Sequence, residues 1–532
     1  MDFTNILSSV DLVIIFVYFA FIVYVGFIYS KSTNAESYFL AGRSMTWPVI
    51  GFSMFAASIS SSTLIGQAGD AYSTGIAVFN YNLIPMIVMV FFVWFLLPFY
   101  IKSQIYTVPE FLGRRFGQGS RYYFSAVTII VNIFLDAAGA LYAAALVINL
   151  VFPDVPIITL VAIFAVIVAL YTIPGGLSSA IRVDLIQGIL LFIGTIILTV
   201  IISYRGGTDY IIDQINNNDI MMKLIRSNDD ASVPWLGLVT GIPILGFFFW
   251  CNNQQLVQRA LTAKNVNEAR LGVILLGFLT LLTLFVVVIP GVMAQHFYPE
   301  LEKVDMVYPT LILKMMPVGL VGLLIAVMVA ALTSSLSGLL NSVATLFTMD
   351  FYSKMSPNAT SKNKVWVGRI ASCVTLVIAV FWAPQIGEKF GSLLKYYQEM
   401  LSVLAPPIVG AFLLGLFSKR VNKQGAFTGL MVGAALGATN LVFKIVTGVS
   451  IFGDLHFLLT VPYYLFASMA VMVIVSCFTP KPDYDVIKPY IWTLDYFRED
   501  SRELKDIPWY ANYRYWSFLL LVSCLALLVV FQ

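Results

Sequence analysis

The chain has 532 residues, of which 59% are hydrophobic and only 11% are charged. Soluble globular proteins carry about 25% charged residues, so this composition excludes an ordinary soluble domain and predicts a surface that faces lipid. The formal net charge of +3 is too small to indicate a nucleic-acid-binding surface, and no nucleic-acid partner is expected.

About fourteen apolar runs follow one another from Val10 to the C-terminus. Each can cross a hydrocarbon core of about 30 Å as a helix, and the runs lack the apolar/polar alternation of a membrane barrel. The sequence therefore predicts an all-α polytopic membrane protein, with one membrane domain over residues 1–532. The predicted spans are 10–29, 47–69, 76–101, 123–151, 155–174, 183–204, 234–253, 271–296, 317–348, 366–385, 391–417, 425–447, 456–477 and 514–531.

The charges of the loops predict the orientation of these spans. If the N-terminus is outside, most of the 31 Lys and Arg residues lie in cytoplasmic loops, as the positive-inside rule requires. With an even number of spans, both termini of this multi-pass cell-membrane protein are predicted to be extracytoplasmic. The first run follows neither a basic region nor a small-residue cleavage site, so we expect it to be a retained helix.

The second predicted span is interrupted by hydroxyl residues. Residues 58–63 read Ser-Ile-Ser-Ser-Ser-Thr, and glycines flank this run at Gly51, Gly66 and Gly69. A helix break in mid-membrane frees backbone carbonyl groups, and carbonyls beside hydroxyls can coordinate a small hard cation. The alternative is an unbroken helix whose Ser and Thr hydroxyls bond back to carbonyls one turn earlier.

Two acids lie in the fourth and sixth spans, where burying a charge is costly. Asp136 is deep within its span and is expected to face a polar cavity. Asp184 begins its span next to Arg182, so an ion pair at the membrane interface is the alternative to a functional role.

The seventh span ends in an aromatic run followed by amides. Phe248, Phe249 and Trp250 precede residues 252–255, which read Asn-Asn-Gln-Gln. Rings of this kind often serve packing or anchor a helix at the membrane interface. A ring beside amides also suits a sugar.

The ninth span carries small and hydroxyl residues from Ala330 to Gly338, followed by Asn341 and Ser342. Such residues also let helices approach closely, so packing is the alternative. Taken with the second span, they predict a neutral oxygen cage that suits a monovalent ion better than a divalent one.

Two features of the C-terminal third have mainly structural interpretations. Lys395 and Glu399 are spaced i, i+4 and are expected to pair on one helix face. Residues 480–513 form a predicted cytoplasmic loop before the last helix, which either lies on the membrane surface or caps the bundle.

The residues needed for catalysis are scarce. Cys251, Cys373, Cys477 and Cys524 have neither metal-site nor disulfide spacing, and the chain has 2 histidines, so a metal or nucleophile site has little to work with. We therefore expect no enzyme activity and no cofactor.

Several ordered blocks resemble the sodium/solute symporter family, specifically its sodium/sugar cotransporter branch. The blocks occupy residues 38–43, 106–111, 258–264, 347–352 and 412–417, reading YFLAGR, YTVPEF, QRALTAK, FTMDFY and FLLGLF. The resemblance covers nearly the whole chain. It implies a leucine-transporter-type fold with two inverted five-helix repeats at 46–204 and 234–418, one additional N-terminal helix and further C-terminal helices.

The resemblance also implies site residues. The family's principal sodium site matches Ala56, Ile59, Ala331, Ser334 and Ser335. A second sodium site in some relatives matches Asp184 and Ser337, although Gly338 stands where those relatives have Ser or Thr.

The family's galactose-carrying members agree with this chain only in part of their sugar site. They share Tyr81, Trp250 and Gln398, but here Thr63, Asn82, Gly246 and Thr280 replace Gln, Glu, Asn and Lys. The candidate substrate-binding residues are Ser58, Thr63, Gln67, Tyr81, Asn82, Asp136, Phe249, Trp250 and Gln398.

The sequence thus predicts a symporter that couples Na+ to a small organic solute by alternating access. A neutral sugar or polyol is favoured over a carboxylate, because a carboxylate is typically bound by the two parallel hydrogen bonds of an arginine guanidinium. The alternatives are an inositol-like solute, an amino or quaternary ammonium compound drawn by Asp136, a passive channel, or a solute sensor built on the same bundle. The predicted partners are Na+, the solute and the lipid bilayer.

Overall fold

The computed structural model describes residues 7–28, 35–59, 62–149, 154–230, 232–301, 303–389, 393–447, 449–505 and 507–532. Within these ranges the regular structure is helical, and the only β-pairing consists of isolated bridges, Met45 with Ala263 and Ser450 with Gly453. The predicted all-α class is confirmed.

The helices are labelled in chain order. The first half contains α1 Ser9–Ile28, α2 Trp47–Ser58, α3 Thr63–Thr74, α4 Ile76–Lys102, α5 Gln118–Asn149, α6 Ile157–Ile202, α7 Trp235–Asn252 and α8 Gln254–Ala260. The second half contains α9 Val266–Phe297, α10 Leu320–Met355, α11 Ser361–Lys389, α12 Leu393–Phe417, α13 Lys423–Thr447, α14 Phe457–Phe478, α15 Leu494–Glu503 and α16 Tyr513–Val530. Shorter connecting helices are Ala35–Leu40, Val108–Phe116, Thr208–Asn216 and Val307–Met315.

Most of these helices are long and apolar enough to span a membrane. In the described ranges, 11 helices meet that condition, and the bent pair α2 and α3 makes up to 12. Two shorter apolar helices, Ser9–Val25 and Ile157–Leu170, lie where the first and fifth spans are predicted. A multi-pass helical bundle is therefore confirmed, while the exact number of fourteen spans stays a prediction.

Helix α6 contains two of the predicted spans, 155–174 and 183–204. It is helical without interruption over 46 residues. At 1.5 Å per residue a straight helix of that length would measure about 69 Å, more than twice the hydrocarbon thickness. The segment therefore holds the residues of two crossings.

The predicted interruption of the second span is confirmed. Helix α2 ends at Ser58, where Ile59 leaves helical geometry with φ −78° and ψ 79°. The chain resumes as α3 at an angle of 64° to α2. Ser60 and Ser61 of the predicted hydroxyl run lie outside the described residues.

Glycines hold the broken helix close to its neighbours. A Cβ at Gly188 of α6 would lie 2.9 Å from the carbonyl oxygen of Phe52, and one at Gly51 would lie 2.6 Å from Cδ2 of Leu275 in α9. Small residues at such crossings let helix backbones approach closely. Helix α2 is thereby fixed in the centre of the bundle, where its broken end forms part of the site described below.

The loop at 480–513 packs against the bundle, as expected of a cap; its position relative to the membrane surface stays a prediction. Phe497 of α15 stacks on Trp94 with ring centroids 6.0 Å apart, and Tyr496 stacks on Phe99 at 5.0 Å. The carboxylate of Asp500 lies 2.5 Å from Nη1 of Arg270 in α9. The loop thus contacts α4 and α9, one from each predicted repeat.

Candidate functional site

The end of α2 presents carbonyl groups that the helix itself cannot satisfy. The last four carbonyls of a helix have no partner in the next turn. Two of them find partners locally: Phe55 O accepts from the amide of Ile59 at 3.0 Å and from the Ser58 hydroxyl at 2.9 Å, and Ser58 O accepts from the Thr63 hydroxyl at 3.1 Å. The carbonyl oxygens of Ala57 and Ile59 instead face α10.

A serine of α10 meets these carbonyls. Ser335 Oγ lies 3.3 Å from Ala57 O, 3.4 Å from Ile59 O and 3.3 Å from Ala331 O. If a cation lies about 2.4 Å from each of two oxygens and the oxygen–cation–oxygen angle is a right angle, the two oxygens are about 3.4 Å apart. Because all of these oxygens are neutral, the group has the spacing and charge expected for a monovalent cation. We call Ala57, Ile59, Ala331 and Ser335 the oxygen cage.

The oxygen cage matches the predicted sodium residues in part. Ile59, Ala331 and Ser335 come together as expected. Ala57, rather than the predicted Ala56 in the same turn, supplies the α2 carbonyl that contacts Ser335. The hydroxyl of Ser334 turns away and donates to the carboxylate of Asp184.

Asp184 forms a fully buried ion pair with Arg259 of α8. Arg259 Nη2 lies 2.6 Å and Nε 3.2 Å from Asp184 Oδ2, and the two side chains are 1% and 0% exposed. The Ser53 hydroxyl lies 3.4 Å from the same oxygen. The guanidinium therefore neutralises Asp184, in place of the interfacial pair with Arg182 that was the alternative from sequence.

This ion pair bears on the predicted second sodium residues, Asp184 and Ser337. The guanidinium of Arg259 is bound to the Asp184 carboxylate. A Cβ at Gly338 would lie 2.7 Å from Arg259 Nη2, so the absence of a side chain at Gly338 leaves room for the arginine. Within the described part of the chain, the buried Ser337 hydroxyl has no hydrogen-bond partner.

A glutamine connects the ion pair to the oxygen cage. Gln255 Nε2 donates to Ser335 O at 3.1 Å and to Ala57 O at 3.4 Å. The backbone carbonyl oxygen of Gln255 accepts a hydrogen bond from Arg259 Nη1 at 2.7 Å. The broken end of α2, α8 and α10 thus meet in one hydrogen-bonded network.

Next to the oxygen cage lies a small cavity of about 50 Å³, which we call the inner cavity. Eight of the nine candidate substrate residues line it: Ser58, Thr63, Gln67, Tyr81, Asn82, Phe249, Trp250 and Gln398. Ile59 also lines it, so the inner cavity and the oxygen cage share the break in the second span.

The wall of the inner cavity combines amides, hydroxyls and aromatic rings. Asn82 Nδ2 donates to Gln67 Oε1 at 2.9 Å, and the rings of Phe249 and Trp250 stand edge to face, 4.9 Å apart. The Thr280 hydroxyl is buried and has no hydrogen-bond partner among the described residues. No charged side chain is found among the described residues that line the cavity. Such a wall suits a neutral polyhydroxylated molecule.

Asp136, the ninth candidate, does not line the inner cavity. Its carboxyl lies beside the hydroxyl of Tyr397, and Tyr397 itself lines the cavity. The acid therefore neighbours the cavity wall at this tyrosine.

The sequence interpretation missed several wall residues. Tyr397 and Thr283 line the inner cavity but lie in apolar runs that look like ordinary span residues. One signal was available for Tyr397, because it precedes the candidate Gln398 in the chain. The described residues contain no group of three or more His, Cys, Asp or Glu side chains that could hold a metal ion.

Comparison with protein families gives a match over most of the chain. Residues 38–433 match the family model described as the sodium:solute symporter family. The mouse sodium/glucose cotransporter 1 is 33% identical, over 95% of this chain and 85% of the relative. The human sodium/myo-inositol cotransporter is 34% identical, over 91% of this chain and 75% of the relative.

Solved structures with the same fold are also found. A Na+-coupled sialic acid symporter in a substrate-bound outward-open state aligns with a TM-score of 0.79 at 22% identity, over 90% of this chain and 99% of that chain. A nucleobase-cation-symport-1 family transporter in a closed conformation aligns with a TM-score of 0.56 at 15% identity, over 86% and 99% of the two chains. At these identities the likeness concerns the fold.

Proposed function

Because the chain belongs to the sodium:solute symporter family and is a sodium-coupled symporter of a small organic solute, we propose that its solute is a neutral sugar or polyol. The observation that carries this proposal is the uncharged wall of the inner cavity, which offers amides, hydroxyls and the rings of Phe249 and Trp250. The names of relatives that transport glucose and myo-inositol support the same class. An amino or quaternary ammonium compound is less well supported, because Asp136 does not line the inner cavity and no charged side chain is found among the described residues that do.

We propose that the oxygen cage binds the coupling sodium ion, with Ala57, Ile59, Ala331 and Ser335 as ligands and Ala56 and Ser334 beside them. A cation here would tie the broken end of α2 to α10. Because Ser58 and Ile59 also line the inner cavity, ordering the break would shape the solute site as well. Sodium and solute would then favour each other's binding, which is the reciprocity that coupling requires.

The proposed stoichiometry is one sodium ion per solute. Asp184 is neutralised by Arg259 in a buried ion pair, and removing a guanidinium from such a pair is costly. A second cation at Asp184 would have to displace it. Gly338, which has no hydroxyl to offer, is consistent with the absence of a second site.

In the proposed cycle, the two repeats, 46–204 and 234–418, rock about the midplane site so that it opens to one side at a time. Sodium bound in the cage favours the conformation open to the predicted extracytoplasmic side. The solute then enters, and both are released inside down the sodium gradient.

The test is uptake of labelled solutes into proteoliposomes with and without an inward sodium gradient. We expect myo-inositol or D-glucose to accumulate only with the gradient, and choline and betaine to be excluded. Saturable uptake of choline but of none of the polyols would show that the proposed solute class is wrong. Uptake that ignores the gradient would argue for the passive channel.

A further inference from the structure

We propose that the chain has a second, outer binding site for its polyol, in a vestibule that the solute fills before it enters the inner cavity. The vestibule is a cavity of about 440 Å³ whose polar wall includes Asp70, Glu399, Ser402, Asn440, Lys444 and His456. It shares Tyr81 and Gln398 with the inner cavity. The two cavities are therefore in series, and the proposal rests on the solute class proposed above.

The vestibule has the size of a ligand site. Sites for small molecules commonly enclose about 300–1,000 Å³, and the vestibule lies within that range, whereas the inner cavity encloses about 50 Å³. In this conformation a molecule of hexose size has room in the vestibule but not in the inner cavity. A solute arriving from the predicted extracytoplasmic side meets the vestibule first.

The ion pair of Lys444 and Glu399 on the vestibule wall can form further hydrogen bonds. Lys444 Nζ of α13 lies 2.8 Å from Glu399 Oε2 of α12, and the two side chains are 43% and 24% exposed. In the described part of the chain, Lys444 donates only to Glu399, and the Glu399 carboxylate accepts only from Lys444. A lysine has three donors, and a carboxylate has two acceptor oxygens. Further donors of Lys444 and Oε1 of Glu399 therefore remain available.

This ion pair can bind two neighbouring hydroxyl groups of one ligand molecule. Each hydroxyl both donates and accepts, so one hydroxyl of a diol can donate to Glu399 Oε1 while the next accepts from Lys444 Nζ. Hydrogen bonds to charged groups are stronger than those between neutral groups. A carboxylate ligand would be repelled by Glu399 and Asp70, whereas an ammonium ligand would be attracted by these acids and repelled by Lys444. A neutral polyol binds both members of the pair through adjacent hydroxyl groups and needs no counter-charge of its own.

The wall is held in place before any ligand arrives. Asn440 Oδ1 accepts from the Ser450 hydroxyl and from the amide of Ile451, both at 2.9 Å. Phe452 stacks on Tyr463 with ring centroids 5.6 Å apart. Residues 450–452 are thereby fixed against α13 and α14, so binding would cost little ordering of the protein.

The test counts bound solute per chain at equilibrium. Full-length protein in nanodiscs, with saturating sodium, is titrated with tritiated myo-inositol and D-glucose. We expect two molecules per wild-type chain, and one per chain for Lys444→Gln, which removes the outer site, or for Trp250→Ala, which removes the inner one. The matched control is Lys423→Gln, an exposed lysine at the other end of α13, which should keep both. Lys444→Gln should also raise the concentration for half-maximal uptake roughly threefold to tenfold, the loss of one or two hydrogen bonds.

Two outcomes would overturn the inference. If wild type binds one molecule per chain and Lys444→Gln binds it with the affinity of the Lys423→Gln control, there is no outer site. Sodium-driven uptake by the same wild-type protein would then leave the proposed function standing. If neither probe is bound or taken up, the proposed solute class fails and the outer site fails with it.

Discussion

Ser335 joins the two halves of the proposed sodium site, because its hydroxyl contacts carbonyl oxygens of the second span and of α10 at once. We expect Ser335→Ala to raise the sodium concentration for half-maximal uptake about tenfold, since losing one oxygen ligand costs roughly 1–1.5 kcal/mol. The measurement is the sodium dependence of polyol uptake at fixed solute concentration.

Ser337 is the matched control for Ser335. It lies two residues further along α10, is buried and carries the same hydroxyl, which has no hydrogen-bond partner within the described residues. We expect Ser337→Ala to leave the sodium dependence unchanged. Equal effects of the two substitutions would mean that the cage is misassigned or that Ser337 also binds sodium.

Asp136 provides a second test at the scale of one residue. Because its carboxyl neighbours Tyr397 but does not line the inner cavity, we expect Asp136→Asn to change the KM for a neutral polyol by no more than about twofold, the effect of a substitution outside direct contact. Uptake kinetics of wild type and variant, compared at equal amounts of protein, give the result. A large rise in KM without loss of kcat would place the acid in contact with the solute.

At the scale of single residues, the sequence indicated which residues could form the sites, but it did not indicate which residues they would contact. The hydroxyl runs indicated which segments would meet, but the identity of Ala57 as the contacting carbonyl depends on how the chain turns at Ile59. Arg259 and Asp184 are 75 residues apart, so no local spacing indicates their pairing. For the same reason the pairing of Glu399 with Lys444, 45 residues away, was not predicted; the predicted pair of Glu399 with Lys395 falls on a side chain outside the described residues.

At the scale of elements, one acid of helix α15 connects α9 of the second predicted repeat to the last helix, α16. Asp500 lies 2.5 Å from Arg270, 2.7 Å from Arg514 and 2.7 Å from the Tyr513 hydroxyl. Burial alone would raise the pKa of Asp500, but Arg270 and the hydrogen bonds of Tyr513 and Arg514 outweigh it and hold the pKa below its ordinary value. A lowered pKa in the folded state stabilises the protein at neutral pH, and this contribution is lost as pH falls below about 4.

We therefore expect Asp500→Asn to destabilise the protein at pH 7 by about 2 kcal/mol, because it leaves the buried guanidinium of Arg270 without its counter-charge. Thermal unfolding of wild type and variant, measured from neutral pH down to the lowest pH that both tolerate, should show the difference shrinking in acid. Asp495→Asn is the control: it lies on the same helix in an exposed pair with Arg498, and such pairs contribute little. A difference that does not depend on pH would contradict the role of the Asp500 charge.

The elements themselves were largely predictable, because long apolar runs have few alternatives in lipid. The break in the second span was also indicated by its glycines and serines. The cap formed by α15 was not indicated, because it depends on aromatic partners such as Trp94 and Phe99 in a distant span.

At the scale of the whole molecule, the network from Asp184 through Arg259 and Gln255 to the oxygen cage leads to a prediction about energy coupling. A symporter that moves one sodium ion with a neutral solute carries one positive charge per cycle. With the membrane potential held at zero, a tenfold sodium gradient is worth about 1.4 kcal/mol per ion. One ion can therefore concentrate the solute at most about tenfold, whereas two ions could reach about 100-fold.

We expect the limiting accumulation of the solute in proteoliposomes to rise in direct proportion to the imposed sodium gradient, because Arg259 holds Asp184 and leaves one cage for one ion. The measurement is the steady ratio of internal to external solute at several sodium gradients, with valinomycin and equal potassium on both sides to clamp the potential. A ratio that follows the square of the gradient would require a second ion. The guanidinium of Arg259 would then have to leave Asp184 during the cycle, and the buried pair would be a feature of one conformation only.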